Sequence, residues 1–243
     1  MSKKRPGVAA AVRLQQKLTA ADISLWERVE SQFADAGGSV TKALETGADS
    51  ICQGATYLTK SQLLKLVEWK FSVGKPRHAL KKYLASNSEQ DVNKWTRSGI
   101  AKAHNALSTN ELSVKEALQE VIKLQGVGPA TASALLCRTN PAAFCYMYDQ
   151  VIDAFEPKRD YSLAVYLRVN RECSRIAQTL GEKWTSARVA RVLWVAAKVL
   201  AGGTMEDLTI TSDTHNQEIN SGSKRLVKES TPRAAIRPKR ART

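Results

Sequence analysis

The chain of 243 residues lacks several features that would place it in a specialised class of protein. It has no apolar run of about 18 residues or more, which is the length that a membrane-spanning helix requires. Its four cysteines form no CxxC pair and no cluster with zinc-binding spacing, which argues against a disulfide scaffold and a zinc module. The N-terminal apolar stretch soon reaches Arg13, Gln15 and Gln16, so it is too short and too polar for a secretory signal. We therefore expect no membrane contact, and we expect reduced, buried thiols.

Strand-forming patterns are also missing, since no stretch alternates apolar and polar residues over a useful length. Apolar residues instead recur at helical spacing, and this spacing predicts helices at about 77–86, 88–106, 113–123, 162–180 and 185–200. Two further helices in the first part of the chain are described next, and two more are expected to begin at Pro129 and Asp149. The predicted fold class is therefore an all-α bundle of about nine or ten helices with short loops.

The two further helices lie in the first part of the chain. One is predicted from Thr19 to the glycine pair Gly37-Gly38, which should end it. The other begins at Thr59, which has a glutamine three residues later in the spacing of a capping box. Ser113 has a glutamate in the same spacing, so a capping box is predicted there as well.

The net charge is +14, from 37 Lys and Arg residues against 23 Asp and Glu residues. Basic residues exceed acidic ones in the body of the chain as well as at both ends, and this favours a polyanionic partner such as a nucleic acid. We expect a basic, partly disordered N-terminus at 1–18, an all-α domain at 19–202 and a disordered basic tail at 203–243.

The tail carries two short basic clusters, Lys224-Arg225 and Arg237-Pro238-Lys239-Arg240, which are separated by 11 residues. Their spacing resembles that of a bipartite nuclear import signal, which implies a nuclear protein that an import receptor recognises. The alternative is a solvated tail that adds nonspecific affinity for DNA.

Residues 124–136 carry the most informative pattern, and they read Leu-Gln-Gly-Val-Gly-Pro-Ala-Thr-Ala-Ser-Ala-Leu-Leu. Gly126 and Gly128 allow positive φ angles and a tight turn, while Pro129 suits the first position of a helix. Glycine also lets backbone N–H groups approach an anion closely at the start of that helix. We predict a hairpin of two helices at 114–138 whose tip can bind a phosphate. An ordinary glycine-containing turn between helices is the alternative.

This segment resembles the helix-hairpin-helix motif, whose usual form is Leu-x-Gly-Val-Gly-x-x-Thr-Ala. The resemblance implies binding to the backbone phosphates of double-stranded DNA without sequence specificity. It assigns the contacts with the DNA backbone to Leu124, Gly126, Val127, Gly128, Ala130 and Thr131. It also implies a monovalent cation, K⁺ or Na⁺, held at the hairpin by the backbone of Leu124 and Gly126.

Asp149 lies 21 residues after Gly128, behind a short loop with a proline and apolar residues, at an expected helix start. This spacing and setting are similar to those of the catalytic aspartate in the endonuclease III-like superfamily of helix-hairpin-helix DNA glycosylases. The resemblance implies that Asp149 is catalytic, because a carboxylate can stabilise the oxocarbenium character of the sugar or orient the attacking water. A helix N-cap is the alternative role for Asp149. Asp153 is a weaker candidate, which we expect at the surface.

The chain departs from that superfamily in ways that mark it as a divergent member. Bifunctional members have a Schiff-base lysine two residues after the second hairpin glycine, where this chain has Ala130. A β-lyase step through that lysine is therefore unavailable. Only Cys173 follows the aspartate, so the four-cysteine iron–sulfur cluster of some members is not expected. Tyr148-Asp149-Gln150-Val151 stands where Val-Asp-Thr-His is common.

Release of a base requires a pocket for the flipped nucleotide. Three candidates for that pocket directly precede the aspartate: Tyr146, Met147 and Tyr148. Trp69 is a fourth, because its ring could stack on a base. The alternative role of each is packing in the core. A basic cluster suits contacts with DNA phosphates, with a solvated helix face as the alternative: Lys75, Arg77, Lys81 and Lys82.

The sequence therefore predicts a DNA-binding protein of base-excision repair that acts as a monomer. Its predicted activity is that of a monofunctional DNA glycosylase, which hydrolyses the N-glycosidic bond of a flipped damaged or mismatched base. The alternative is a noncatalytic DNA-binding module that recognises DNA structure. A cleft that contains Asp149 and has room for a base would favour the enzyme, and a filled cleft would favour the module.

Overall fold

The structure, a computed structural model, describes residues 15, 16, 18 and 23–202. The described part of the chain contains ten α-helices and no β-strand, which confirms the all-α fold class. The helices are α1 (Ile23–Ser31), α2 (Phe33–Cys52), α3 (Lys60–Val73), α4 (His78–Ala85), α5 (Glu89–His104), α6 (Glu111–Ile122), α7 (Pro129–Thr139), α8 (Asp149–Phe155), α9 (Leu163–Leu180) and α10 (Ser186–Gly202). None of these helices is long and apolar enough to span a membrane.

Several predictions concern residues outside the described ranges. They include most of the basic N-terminus, the basic tail, and the import residues Lys224, Arg225, Lys239 and Arg240. The expected helix start at Thr19 also falls outside. The domain boundaries on either side of the helical body therefore stay predictions.

Capping side chains set the start of two helices that have capping-box spacing in the sequence. The capping box at Thr59 is confirmed, because its hydroxyl accepts the N–H of Gln62 at 3.2 Å and the Gln62 side chain accepts the N–H of Thr59 at 2.8 Å. The capping box at Ser113 is wrong. α6 begins earlier, at Glu111, and the side chain of Asn110 caps it by accepting the N–H of Ser113 at 3.3 Å. Asparagine is among the strongest N-cap residues, which explains the earlier start.

The predicted helix that ends at Gly37-Gly38 is wrong at its C-terminal end. α1 ends at Ser31, before the glycine pair, and α2 continues through that pair to Cys52. Gly38 has φ 73° and ψ 171°, a conformation that favours glycine, and it kinks α2 near its start. The sequence pattern does not predict the part of α2 after this kink. Its buried face mixes polar with apolar residues, which weakens the periodic signal: Thr41, Glu45, Ala48 and Cys52.

α7 lies at the centre of the fold. It contacts α2, α3, α5, α6, α9 and α10, and its residues from Thr131 to Cys137 are all buried. Most of these side chains are small, so the neighbouring helices can approach the α7 backbone closely. The Ser133 hydroxyl of α7 accepts the N–H of Met147 at 3.2 Å, which attaches the loop before α8 to this central helix.

Two polar side chains of α9 hold the same loop in the core. Asn170 accepts the N–H of Cys145 at 2.7 Å and donates to the carbonyl of Ala143 at 2.9 Å. Tyr166 donates to the Cys145 carbonyl at 3.1 Å. Buried backbone groups need such partners because they have lost their hydrogen bonds to water. The chain that leads into Asp149 is therefore fixed on two sides.

All four cysteines are free and buried, as the sequence predicts. Burial raises the pKa of the Cys52 and Cys137 thiols to about 12 each, so both stay protonated at neutral pH. Among the described residues, no group of three or more His, Cys, Asp or Glu side chains could hold a metal ion. The cysteines act as small core residues.

The contact between α5 and α6 depends on a glycine. A Cβ atom added at Gly99 would lie 2.3 Å from Cγ2 of Val121 and 3.2 Å from the carbonyl oxygen of Ala117. Gly99→Ala should overpack this contact and lower the free energy of unfolding by about 1–3 kcal/mol. Gly47→Ala in α2 is the matched control: its added Cβ meets no atom within 4 Å, and alanine should raise stability by about 0.5–1 kcal/mol. Urea denaturation measures both changes, and equal stabilities of the two variants would contradict the packing.

Candidate functional site

The glycine-rich segment joins α6 to α7 in a tight turn. Gly126 has φ 73°, and a Cβ atom there would lie 2.9 Å from Cβ of Tyr83 in α4. Glycine is therefore required at this position for both conformation and space. The carbonyl of Gly128 accepts the first amide hydrogen bonds of α7, from Thr131 and Ala132, each at 2.9 Å.

Asn87 fixes this turn from outside the motif. Its side-chain oxygen accepts the N–H of Gln125 at 2.8 Å, and its side-chain nitrogen donates to the Gln125 carbonyl at 3.0 Å. The same nitrogen donates to the Leu84 carbonyl at 3.0 Å, at the end of α4. Asn87 thereby attaches α4 to the hairpin. The sequence gives no sign of this role, because the two partners are 38 residues apart.

Asp149 is the first residue of α8, and both of its carboxylate oxygens accept hydrogen bonds from side chains. The Tyr161 hydroxyl donates to Oδ1 at 2.8 Å, and Nη1 of Arg159 donates to Oδ2 at 2.9 Å. The N-cap of α8 is Tyr148 and no side-chain cap bond forms there, so the alternative role of Asp149 as an N-cap does not fit. The Asp149 side chain keeps 19% of its surface exposed.

Arg159, in the loop between α8 and α9, joins Asp149 to Asp153. Its Nε and Nη2 atoms donate to the two oxygens of Asp153 at 2.8 and 2.5 Å, while Nη1 donates to Asp149. The expectation that Asp153 lies at the surface is wrong, because it is 7% exposed. The hydrogen bonds to Asp153, together with the charge of Asp149, raise the pKa of Arg159. One guanidinium therefore pairs with both carboxylates.

Tyr161 comes from the same loop and contacts the aspartate from its other side. Burial and the hydrogen bond to Asp149 raise the pKa of Tyr161 to about 12, so its hydroxyl remains a donor at neutral pH. The guanidinium of Arg77 lies 4.9 Å from the centroid of the Tyr161 ring, in a cation–π contact. Sequence reasoning missed Arg159 and Tyr161. The sequence shows only that an arginine and a tyrosine follow Asp149 within 12 residues, a pattern too common to indicate a contact.

The hairpin turn and Asp149 line one cleft of about 390 Å³. This volume lies within the range of about 300–1,000 Å³ that small-molecule sites occupy. From the hairpin, the cleft is lined by Gly126, Gly128, Ala130 and Thr131. Cationic side chains also line it: Lys70, Lys75, Arg77 and Arg159. The cleft is therefore open, basic and bordered by a carboxylate.

The other two residues predicted to contact the DNA backbone, Leu124 and Val127, lie in the core at 3% and 5% exposure. The Leu124 carbonyl accepts the N–H of Val127 at 3.1 Å within the turn. Their side chains anchor the hairpin, so a contact with DNA at these positions would come from the backbone. The monovalent cation at Leu124 and Gly126 stays a prediction.

Three of the four predicted base-pocket residues line the cleft: Tyr146, Met147 and Tyr148. Their side chains are nevertheless almost wholly buried, at 5%, 2% and 4% exposure. Trp69 does not line the cleft; it is 1% exposed, and its ring centroid lies 4.8 Å from that of Tyr146. A second cavity, of about 440 Å³, is bordered by Trp69, Tyr146 and Tyr148. The two tyrosines therefore separate the cleft from that cavity.

A buried ion cluster holds Trp69 in the core. Glu45 accepts a hydrogen bond from the Trp69 indole N–H, and it pairs with Arg191 and, at 3.0 Å, with Arg138. Arg138 also pairs with Asp49 at 2.9 Å, and its guanidinium lies 3.7 Å from the centroid of the Trp69 ring. A buried carboxylate requires such partners. Trp69 is therefore held in place by polar contacts on the side away from the cleft.

The predicted basic cluster after α3 divides between the cleft and the surface. Lys75 and Arg77 line the cleft, Lys81 pairs with Glu68 at 3.3 Å, and Lys82 is exposed. Both partners of the Lys81 pair are about half exposed, so this pair contributes little to stability. Because α4 packs against Gly126, the cluster places positive charge beside the hairpin turn.

Comparisons of the chain with protein-family models, curated proteins and solved structures find no match. In the cleft, the turn between α6 and α7, a fixed carboxylate and four cationic side chains line the same space.

Asn87→Ala tests how the turn is held. It removes both hydrogen bonds to the part-buried backbone groups of Gln125, so the free energy of unfolding should fall by about 1–3 kcal/mol. Amide hydrogen exchange in residues 123–128 should rise more than elsewhere. Asn105→Ala is the control, because Asn105 is exposed and its side chain donates only to a carbonyl of α5, at 3.2 Å. A rise in exchange that is spread evenly over the chain would contradict the local role of Asn87.

Proposed function

We propose that this chain binds double-stranded DNA and hydrolyses the N-glycosidic bond of a flipped base, with Asp149 as the catalytic carboxylate. The observation that carries the proposal is the cleft itself. It brings the hairpin glycines and Asp149, which are separated in sequence, to one basic space. The DNA phosphates need positive charge and backbone N–H groups, and the sugar, which develops positive charge, needs a carboxylate close by.

The hairpin supplies the contacts with the DNA backbone in this proposal. At the start of α7, Pro129 has no N–H and the amides of Thr131 and Ala132 donate to the Gly128 carbonyl, so the amide offered to a phosphate is that of Ala130. The helix dipole favours an anion in front of this turn. Gly126 and Gly128 line the cleft without side chains, so a phosphate oxygen can approach the backbone there. Lys75 and Arg77 supply further positive charge. These contacts read no base, so they hold any sequence.

Asp149 acts on the sugar. Glycosidic cleavage develops oxocarbenium character at the anomeric carbon, which a nearby carboxylate stabilises, and the same carboxylate can orient the attacking water. Arg159 and Tyr161 each hold one oxygen of Asp149, so its direction is set before DNA binds. Ala130 offers no amine at the tip of the hairpin, so hydrolysis by water is the reaction proposed for the base-release step.

One observation favours a noncatalytic DNA-binding module as the second candidate function. Both oxygens of Asp149 already accept hydrogen bonds, and Tyr146 and Tyr148 are nearly buried between the cleft and the second cavity. A flipped base must fit the cleft beside these side chains, or it must displace them. A module that only recognises DNA structure needs neither arrangement.

The proposal includes a nuclear location, with Lys224-Arg225 and Lys239-Arg240 as the import signal, and action as a monomer. These parts are supported by the sequence alone. With a nuclear location, the proposed substrate is chromosomal DNA.

Lys75→Gln tests the DNA-binding face. Loss of one phosphate contact should weaken binding to duplexes of any sequence and reduce the slope of log K against log salt by about 0.9. Lys115→Gln is the matched control, because Lys115 is exposed near the start of α6, at the opposite end from the turn. Fluorescence anisotropy of a labelled duplex at several salt concentrations measures both slopes. Equal slopes for the two variants would contradict a phosphate contact at Lys75.

Asp149→Asn tests the chemistry. The change removes the carboxylate charge with little change in shape, so base release should fall by about 10²–10⁴-fold while DNA binding persists. The assay uses duplexes that carry uracil, oxidised, alkylated or mismatched bases, with hot alkali to cleave at the abasic sites.

Asp160→Asn is the control for this assay, because Asp160 is exposed and accepts hydrogen bonds only from Ser162. Full activity of Asp149→Asn would refute the catalytic role of Asp149. Absence of release on every duplex, together with salt-sensitive binding by all three proteins, would establish the noncatalytic module instead.

A further inference from the structure

Asp153 is a buried carboxylate to which the proposed base release assigns no task. It lies one helical turn after Asp149, on the same side of α8. Its side chain is 9% exposed, against 19% for Asp149, and it is not one of the described residues that line the cleft. A substrate in the cleft therefore meets Asp149, while Asp153 can act on the reaction only through another residue.

Arg159 is the residue through which Asp153 can act, because its guanidinium divides unequally between the two carboxylates. Nε and Nη2 donate to the two oxygens of Asp153, at 2.8 and 2.5 Å, in a bidentate pair. Only Nη1 is left for Asp149, where it donates to Oδ2 at 2.9 Å. The guanidinium is planar, so it cannot turn a second nitrogen to Asp149 without breaking a bond to Asp153. Asp153 therefore decides how much of Arg159 reaches Asp149.

This unequal division preserves the negative character of Asp149. An arginine that pairs with a single carboxylate opposes its whole charge, whereas here two carboxylates share one positive charge. The other oxygen of Asp149, Oδ1, accepts from the neutral hydroxyl of Tyr161 at 2.8 Å. A carboxylate that stabilises a developing oxocarbenium ion needs the charge that remains.

We propose that Asp153 is a positioning residue for base release: it holds Arg159 by two nitrogens, so that Arg159 orients Asp149 without neutralising it. The inference rests on the proposed function, because it concerns the catalytic carboxylate. Without the charge of Asp153, Arg159 forms a bidentate pair with Asp149 and displaces the Tyr161 hydroxyl from Oδ1. Such a pair weakens the attraction between Asp149 and the sugar, although every side chain of the cleft is still present.

Asp153→Asn tests the inference by its effect on the rate of base release. The amide keeps the size of the carboxylate, but it loses the charge and turns N–H donors towards Arg159. On the duplex from which the wild type releases a base, kcat should fall by about 10²-fold. KM should not rise, because no contact with DNA is lost. Asp160→Asn, which changes an exposed carboxylate of the same loop as Arg159, should match the wild type.

A second substitution separates positioning from a purely structural role. Asp153→Asn/Arg159→Gln also removes the cation that would otherwise turn to Asp149, so the double variant should release the base faster than Asp153→Asn does. A structural role predicts the opposite order, since the second substitution would add to the damage of the first. Single-turnover kinetics at saturating enzyme compare the two variants.

Tyr161 reports the same rearrangement without any base release. Burial and the hydrogen bond to Asp149 raise its pKa to about 12, while the charges of Arg159 and Arg77 act in the opposite direction. If Arg159 displaces the hydroxyl in Asp153→Asn, the pKa of Tyr161 should fall. Carbon-13 NMR of tyrosine labelled at Cζ follows the titration, and the spectrum of Tyr161→Phe assigns the signal. Asp160→Asn controls for the loss of a nearby charge alone.

Each outcome of these experiments decides the question. Full base release by Asp153→Asn, an unchanged pKa of Tyr161, or a double variant slower than Asp153→Asn would overturn the role of Asp153 and leave the proposed function intact. Absence of release by the wild type on every duplex would overturn the proposed function and this inference with it.

Circular dichroism checks the folding of each variant. If Asp153→Asn does not fold, Arg159→Lys decides, because a lysine ammonium is a point charge that cannot hold both oxygens of Asp153 and one of Asp149. Loss of kcat without a rise in KM would then support the inference, and full activity of Arg159→Lys would overturn it.

Discussion

The burial of α7 on every side is the constraint on which the rest of the structure depends. Six helices pack around it, and its residues from Thr131 to Cys137 have no face towards water. Small side chains such as Ala132 and Ala134 are needed there, because larger ones would push the neighbouring helices apart. α7 begins directly after the hairpin glycines, and its Ser133 hydroxyl holds the loop that leads to Asp149. The same helix therefore sets the positions of both halves of the candidate site.

Separate polar contacts stiffen the walls of the cleft. Asn87 fixes the turn between α6 and α7, and Arg159 fixes the carboxylate of Asp149. The indole N–H of Trp69 in α3 donates to Glu45. Each contact satisfies groups that burial would otherwise leave without partners, so each is required for stability as well as for shape. A cleft built in this way exists before a ligand arrives, and little of the binding free energy is spent on ordering it.

The sequence predicts the local features and not the distant contacts. Helical periodicity, the capping box at Thr59 and the turn at Gly126 follow from residues within one or two helical turns of each other. The partners of Asn87, Arg159 and Trp69 do not follow, because each depends on which elements the fold brings together. The wrong local predictions also concern neighbouring residues. Asn110 caps α6 in place of Ser113, and the glycine pair kinks α2 instead of ending a helix. The spacing between the glycines and Asp149 suggested a common site, and in the structure they line one cleft.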